Sequence, residues 1–407
     1  MIFITILFAT AAVASTDVDV NRTEAQATAG EAAGSATGPV KLSLDYKSDV
    51  VRGLRGGTDS RATFLGALNV GVDVDLGRVL DAKGLTASAQ GLALHGAAPG
   101  ERIGDLQGTD NISATRSVRL YQAWLQQNLF QERLSLLAGL HDLSTEFNVT
   151  ESAGVFMNSS FGITPELARS GKAGPSYWPN TALGARARGQ PTEALSLSMA
   201  VYNGVPGDPA HPESTTLALR ERDGVMAITE LSYSPDFGGL PGKLAAGAWG
   251  YDRKNAELFA VNEEGLPLES HSVGLYMMFD QKLYAPTARS PLGLSGFLRL
   301  GWADATTDSI EYGIQSGLSY TGLIPRREQD QLGLGIAVAR AGEHFRAANA
   351  ARGIDTALLE STLELTYRLR VASWLYVQPD VQWVTNPGLN EAAADAIVGA
   401  GRIGLTF

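Results

Sequence analysis

From Leu68 to Leu76 the chain places an apolar side chain at every second position: Leu68, Val70, Val72, Val74 and Leu76, with Asn69, Gly71, Asp73 and Asp75 between them. A period of two with one apolar face is a β-strand, because successive side chains of an extended backbone leave on opposite sides. The pattern returns in Leu195, Leu197, Met199 and Val201, and in Leu332, Leu334, Ile336 and Val338. It is sharpest where Leu363, Leu365, Tyr367 and Leu369 alternate with Thr362, Glu364, Thr366, Arg368 and Arg370.

Such segments occupy 39–53, 62–78, 83–96, 115–129, 131–143, 179–189, 194–204, 223–234, 242–253, 270–284, 293–304, 309–321, 329–341, 358–371, 374–385 and 395–407. Most of these sixteen run for ten to fifteen residues. Soluble strands average about five or six, whereas a strand tilted across a membrane needs at least about nine. Only the fourth segment, around Tyr121, Trp124 and Leu125, does not declare its faces.

The connections sort as well. After even-numbered strands they are mostly short, as at Phe130–Gln131, Gln190–Thr192 and Val371–Ala372. After odd-numbered strands several are long: 97–114, 144–178, 205–222, 254–269 and 342–357. Short turns on one side and long loops on the other mark bacterial outer-membrane barrels, whose long loops face outward. In hydrocarbon an open sheet edge would leave N–H and C=O groups unpaired, so the sheet must close. The expected fold is all-β: a transmembrane antiparallel β-barrel of sixteen strands over 39–407, with its third outer loop folded into the lumen. Such a barrel encloses water and meets outer-membrane lipid on its outside.

The first fourteen residues form an apolar run ending in Ala12-Val13-Ala14, the pattern of a cleaved signal peptide, although no basic residue precedes it. Residues 15–38 hold almost no large apolar side chain and read as a flexible periplasmic lead-in. No later stretch is long and apolar enough for a membrane helix.

The 144–178 loop is too long to be idle. Its candidates for a constriction are Glu146, Asn148, Glu151, Phe156, Asn158, Phe161, Arg169, Tyr177 and Trp178. Rings can stack on a sugar while charged and amide groups bind its hydroxyls; the plain alternative is a surface loop whose rings pack together. Parity puts Arg133, Arg186 or Arg188, Glu230, Arg299, Glu311, Glu360, Glu364, Arg368, Gln378, Asp380 and Gln382 on the lumen wall. Most such charges would solvate the channel or pair across it. Pro379 lacks the N–H of a central strand, which predicts a local bulge there.

Chemistry of other kinds finds little support. The chain has no Cys, and its five His are scattered, so metal and thiol sites have no ligand set. No nucleophile elbow, phosphate loop or dinucleotide fingerprint occurs, and no cofactor is implied. A net charge of −11 argues against nucleic acid as a partner. A plugged envelope protein or an enzymatic barrel are the alternatives from other classes.

Tyr320-Thr-Gly-Leu-Ile-Pro-Arg-Arg-Glu-Gln-Asp330, Glu360–Tyr367, Gln378-Pro-Asp-Val-Gln382, Asn386-Pro-Gly388 and Arg402–Phe407 together resemble the carbohydrate-selective porins of the OprB type. Ala138–Asp142, Phe156–Phe161 and Trp178–Gly184 are similar to that family's fifth strand, long loop and sixth strand. The resemblance implies passive diffusion of small sugars such as monosaccharides; a general or ion-selective porin is the alternative. Where that family carries a basic residue after the glycine, this chain has Leu140-His141. Phe407 resembles the terminal aromatic read by the barrel-insertion machinery, and the resemblance leaves a monomer or a trimer open.

Overall fold

The computed structural model describes residues 38–407. The predicted signal 1–14 and lead-in 15–38 lie outside the described residues, apart from Gly38. Eight strands form the first half: β1 (Val40–Arg55), β2 (Thr63–Asp75), β3 (Leu85–Gly96), β4 (Ser117–Leu129), β5 (Leu134–His141), β6 (Ala182–Gly189), β7 (Leu195–Asn203) and β8 (Val225–Tyr233). Eight more follow: β9 (Gly242–Val261), β10 (Pro267–Tyr284), β11 (Gly293–Ala303), β12 (Ile310–Thr321), β13 (Gln331–Ala341), β14 (Leu359–Ala372), β15 (Leu375–Thr385) and β16 (Ala396–Thr406). Each pairs antiparallel with its sequence neighbours, and β1 pairs with β16, so the barrel is closed.

The alternation reads directly as two faces. Leu363 and Leu365 are 41% and 52% exposed, whereas Thr362 and Glu364 are at 0%. The outward leucines meet lipid; the polar residues turn inward. Placing a cation outside, as in Leu365→Arg, should cost about 2–4 kcal/mol. Urea unfolding of the barrel in vesicles measures this, and a loss under about 0.5 kcal/mol would show that the face does not meet hydrocarbon.

The interior is not uniformly polar. Inward Val51, Leu65, Leu92, Leu94, Val384 and Val398 pack with Ile103 and Ile112 of the β3–β4 connection. Met226, Ile228, Trp249, Tyr276 and Met278 pack with Leu143, Phe147, Ile163 and Leu167 of the β5–β6 connection. Burial stabilises each large apolar side chain by about 1.5–3 kcal/mol, which draws both connections, 97–116 and 142–181, inside the barrel. Only the second was expected there.

Several expectations need correction. The fourth strand hid its faces because β4 carries a bulge: Gln90 pairs with Gln122 and Gly91 with Leu120, so Tyr121 is an extra residue and the parity reverses across it. Val118 and Leu120 point outward before the bulge, Leu125 after it. No bulge occurs at Pro379. The β14–β15 and β15–β16 registers run through it unshifted, and side chains bridge the gap: Gln378 Nε2 donates to Thr366 Oγ1 at 2.8 Å and Arg368 Nε to Gln378 Oε1 at 3.1 Å. The long loop expected at 254–269 is mostly strand, since β9 and β10 extend beyond their apolar bands to a tight turn closed by Asn262 and Leu266.

Candidate functional site

The segment 142–181 leaves β5, crosses the lumen and returns to β6. Wall charges hold it by its backbone. Glu364 accepts from Met157 N and from Asn158 N, at 2.5 and 3.0 Å. Glu230 accepts from Asn148 N at 2.9 Å and from the Tyr276 hydroxyl at 2.8 Å. Arg299, wholly buried, donates to Phe161 O at 2.7 Å, to Asn148 O at 2.9 Å and to the Asn148 side-chain oxygen. Asp280 receives Ser152 N at 3.0 Å, and Gln378 donates to Val155 O at 2.7 Å.

The second inward connection is pinned in the same manner. Glu360 accepts from Leu106 N and Gln107 N, and Gln382 donates to Thr109 O. Arg402 bridges Asp49 at 2.6 Å and Asp110 at 3.6 Å; burial pushes the Asp110 carboxyl well above its ordinary range, with Asp49 adding to the shift.

Glu230, Arg299, Glu360, Glu364, Gln378, Asp380 and Gln382 therefore do turn inward, but they are sealed beneath the two connections and do not form a solvated wall. The charge-assisted hydrogen bonds from backbone N–H groups offset part of the cost of burying these carboxylates. Two wall candidates fail outright. Arg133 lies exposed in the turn before β5, one residue outside the strand. Glu311 is the extra residue of a β12 bulge, between the pairs Ile310–Ala341 and Tyr312–Arg340. It forms an ion pair with Arg340, which has the outward parity of β13 and lies over the Tyr312 ring.

The loop candidates divide. Phe156 and Phe161 stack on each other at 4.4 Å and meet Phe297 edge-on. With Asn148 and Asn158 they are fully buried, so none of the four can touch a solute. Glu146, Glu151, Arg169, Tyr177 and Trp178 keep exposed surface. The short helix Pro165–Ala168 presses Glu166 against β11 and β12, where Gly301 and Gly313 face each other; a Cβ on either glycine would overlap its carboxylate. Burial lifts the Glu166 carboxyl to about 7, against Thr164 and Arg299, which lower it.

The wall of β2 to β6 is lined differently. Asn69 and Gln122 both donate to Gln90 Oε1, at 3.5 and 3.2 Å. Trp124 follows on the same face of β4, and Gly139 opposite it, at φ +144°, leaves room that a Cβ would fill. Arg186 donates to Gln126 Oε1 at 2.8 Å and to Glu146 Oε1 at 2.7 Å. Arg186 and Arg188 both have inward parity on β6. Sequence reasoning missed Asn69, Gln90, Gln122, Trp124 and Gln126. The bulge at Tyr121 scrambled the parity of β4, and the short polar positions of β2 and β3 carried no mark of their own.

A family model described as "Carbohydrate-selective porin, OprB family" matches residues 60–407. Porin B of Pseudomonas aeruginosa is 24% identical over 398 residues, covering 89% of this chain and 87% of that protein. Among solved structures, the high-pH structure of OprB from Pseudomonas putida superposes with a TM-score of 0.81 at 20% identity, covering 95% of this chain and 96% of that one. The DcaP channel of Acinetobacter baumannii gives a TM-score of 0.57 at 10% identity over 90% and 97% of the two chains.

Proposed function

The chain belongs to the carbohydrate-selective porin family of the OprB type, and from that premise we propose how a sugar crosses it. As an outer-membrane channel of this family it passes small carbohydrates by diffusion, without energy input or covalent chemistry. The route runs along the wall of β2–β6 on the periplasmic side of the Leu65, Leu92 and Leu94 cluster, beside the loop 142–181, because the packed connections cover that cluster and the charges of the opposite strands. The observation that carries this reading is the strip Asn69, Gln90, Gln122, Trp124 and Gln126, which ends at the Arg186–Glu146 pair.

Amides offer both donors and acceptors to hydroxyl groups, and an indole face suits the C–H face of a pyranose. Exchange of one hydroxyl for another along such a ladder keeps each step shallow, so a solute is recognised but not trapped. Trp178 and Tyr177 border the outer approach to this strip. They pack against the inward apolar clusters and retain partial exposure. Phe407 closes the β1–β16 seam with Leu44 and stacks on Trp374 at 5.8 Å, half exposed at the periplasmic rim, which suits recognition by the insertion machinery.

Liposome swelling tests the route. Trp124→Ala should slow entry of glucose about tenfold relative to a polyol of equal size, the loss expected of one stacking contact of about 1.4 kcal/mol. Equal slowing of both solutes, or of neither, would place the selective strip elsewhere.

A further inference from the structure

One backbone N–H fixes the polarity of the neutral strip. An amide side chain can turn either end toward a neighbour, so its orientation is set by a group that can play one part only. Asp142 N–H is such a group. It can only donate, and it lies 3.2 Å from the Gln122 side chain, which must therefore present its oxygen there. The β4 bulge brings the two together, because it turns two consecutive residues, Tyr121 and Gln122, into the interior. Tyr121 in turn donates to the Asp142 carboxylate, which also accepts from Ser144 N at 2.7 Å and from Trp178 N at 3.1 Å. Asp142 is thus held by both ends of the loop 142–181 and cannot swing its N–H away.

The orientation passes along the row. With its oxygen committed, Gln122 turns Nε2 to Gln90, whose oxygen accepts at 3.2 Å. Asn69 meets that same oxygen at 3.5 Å and so must offer Nδ2. Gln122 is buried and bonded at both ends, whereas Gln90 and Asn69 keep partial exposure. Among the described residues no protein group meets Gln90 Nε2 or Asn69 Oδ1. Gly71, opposite Gln90 in the β2–β3 register, carries no side chain that could cover them.

We propose that Gln90 and Asn69 form a specificity-determining pair of fixed polarity, a donor beside an acceptor, and that Gln122 is the residue that positions it. The pair takes a hydroxyl group that gives its proton to Asn69 Oδ1 and receives one from Gln90 Nε2. A hydroxyl does both at once, whereas an ether oxygen answers only Gln90 and an ammonium only Asn69. The assignment rests on the channel reading above and divides the strip into residues that meet the solute and one that orients them.

The full chain in lipid nanodiscs, isotope-labelled at its glutamine side-chain nitrogens, tests this by magnetic resonance. Glucose should shift the amide protons of Gln90 and leave those of Gln122 in place. Gln122→Glu keeps the shape and an acceptor for Asp142 N–H, but it turns a second oxygen on Gln90. The Gln90 amide should then reverse, and its protons should lose their response to glucose. Glucose influx in swelling assays should fall about fivefold, the effect of one hydrogen bond. Gln90→Met should slow influx by about the same factor with Gln122 untouched, which decides the matter even where Gln122→Glu does not assemble. A Gln90 signal that answers glucose equally in Gln122→Glu, a glucose shift on Gln122 itself, or unchanged influx in Gln90→Met each overturns this proposal and leaves the sugar channel standing. An unaltered chain that admits no sugar would overturn the channel reading and this inference with it.

Discussion

Arg299→Ala is expected to free the loop 142–181 from the wall and raise single-channel conductance severalfold. The guanidinium is wholly buried and reaches Asn148, Phe161 and Gly162, which lie on both sides of the loop's innermost turn. Truncation leaves those carbonyls without a donor and Glu166 without its nearest cation. Breaking a buried charge cluster by removing one member costs about 3–5 kcal/mol. The strands keep their own ladders, so the barrel should still assemble and still shift on gels when heated. Arg299→Lys should rescue little, because one ammonium cannot span acceptors that a planar fork reaches together. Protease nicking within 142–181, a larger size limit in swelling assays and noisier current should appear together. Unchanged conductance in a folded Arg299→Ala barrel would show that the apolar contacts of Phe147, Ile163 and Leu167 hold the loop alone.

Conductance should also rise with pH, through Glu166. Its carboxyl, in the loop and not in a strand, sits near 7 in the folded state because of burial, against an ordinary value of 4.5. Between those values the native state holds the proton more tightly than the released one does. The seat is therefore fully stabilised below about 4.5 and loses that contribution as pH rises through about 7. The difference amounts to at most about 3 kcal/mol. Ionisation places a negative charge against the backbone at Gly301 and Gly313, with Arg299 already shared among carbonyls. Larger and more frequent current steps at pH 8.5 than at pH 5.5 would express that loss. Glu166→Gln keeps the shape without the charge and should flatten the profile. A profile that survives this substitution would assign the pH response to another group.

The two predictions draw on residues that were legible in the sequence to different degrees. Arg299 and Glu364 were identifiable as inward by alternation alone, since a strand has only two faces and lipid excludes charge from one of them. Their task was not identifiable. Whether an inward carboxylate meets water or a backbone N–H depends on a segment some two hundred positions away in the chain, as between Glu364 and Met157. Glu166, in a loop without periodicity, offered nothing to read until the paired Gly301 and Gly313 came opposite it.

Alternation and loop lengths determined the barrel, its sixteen strands and its closure. Those properties follow from local geometry and from the demand of hydrocarbon that every backbone group be paired. Tertiary structure alone decided what fills the lumen. Inward apolar patches drew in 97–116 as well as 142–181, a one-residue bulge at Tyr121 turned Trp124 and Gln126 inward, and the two connections covered Glu230, Arg299, Glu360 and Glu364 on the wall. Each depends on contacts between residues distant in sequence, for which a periodic pattern along one strand carries no signal.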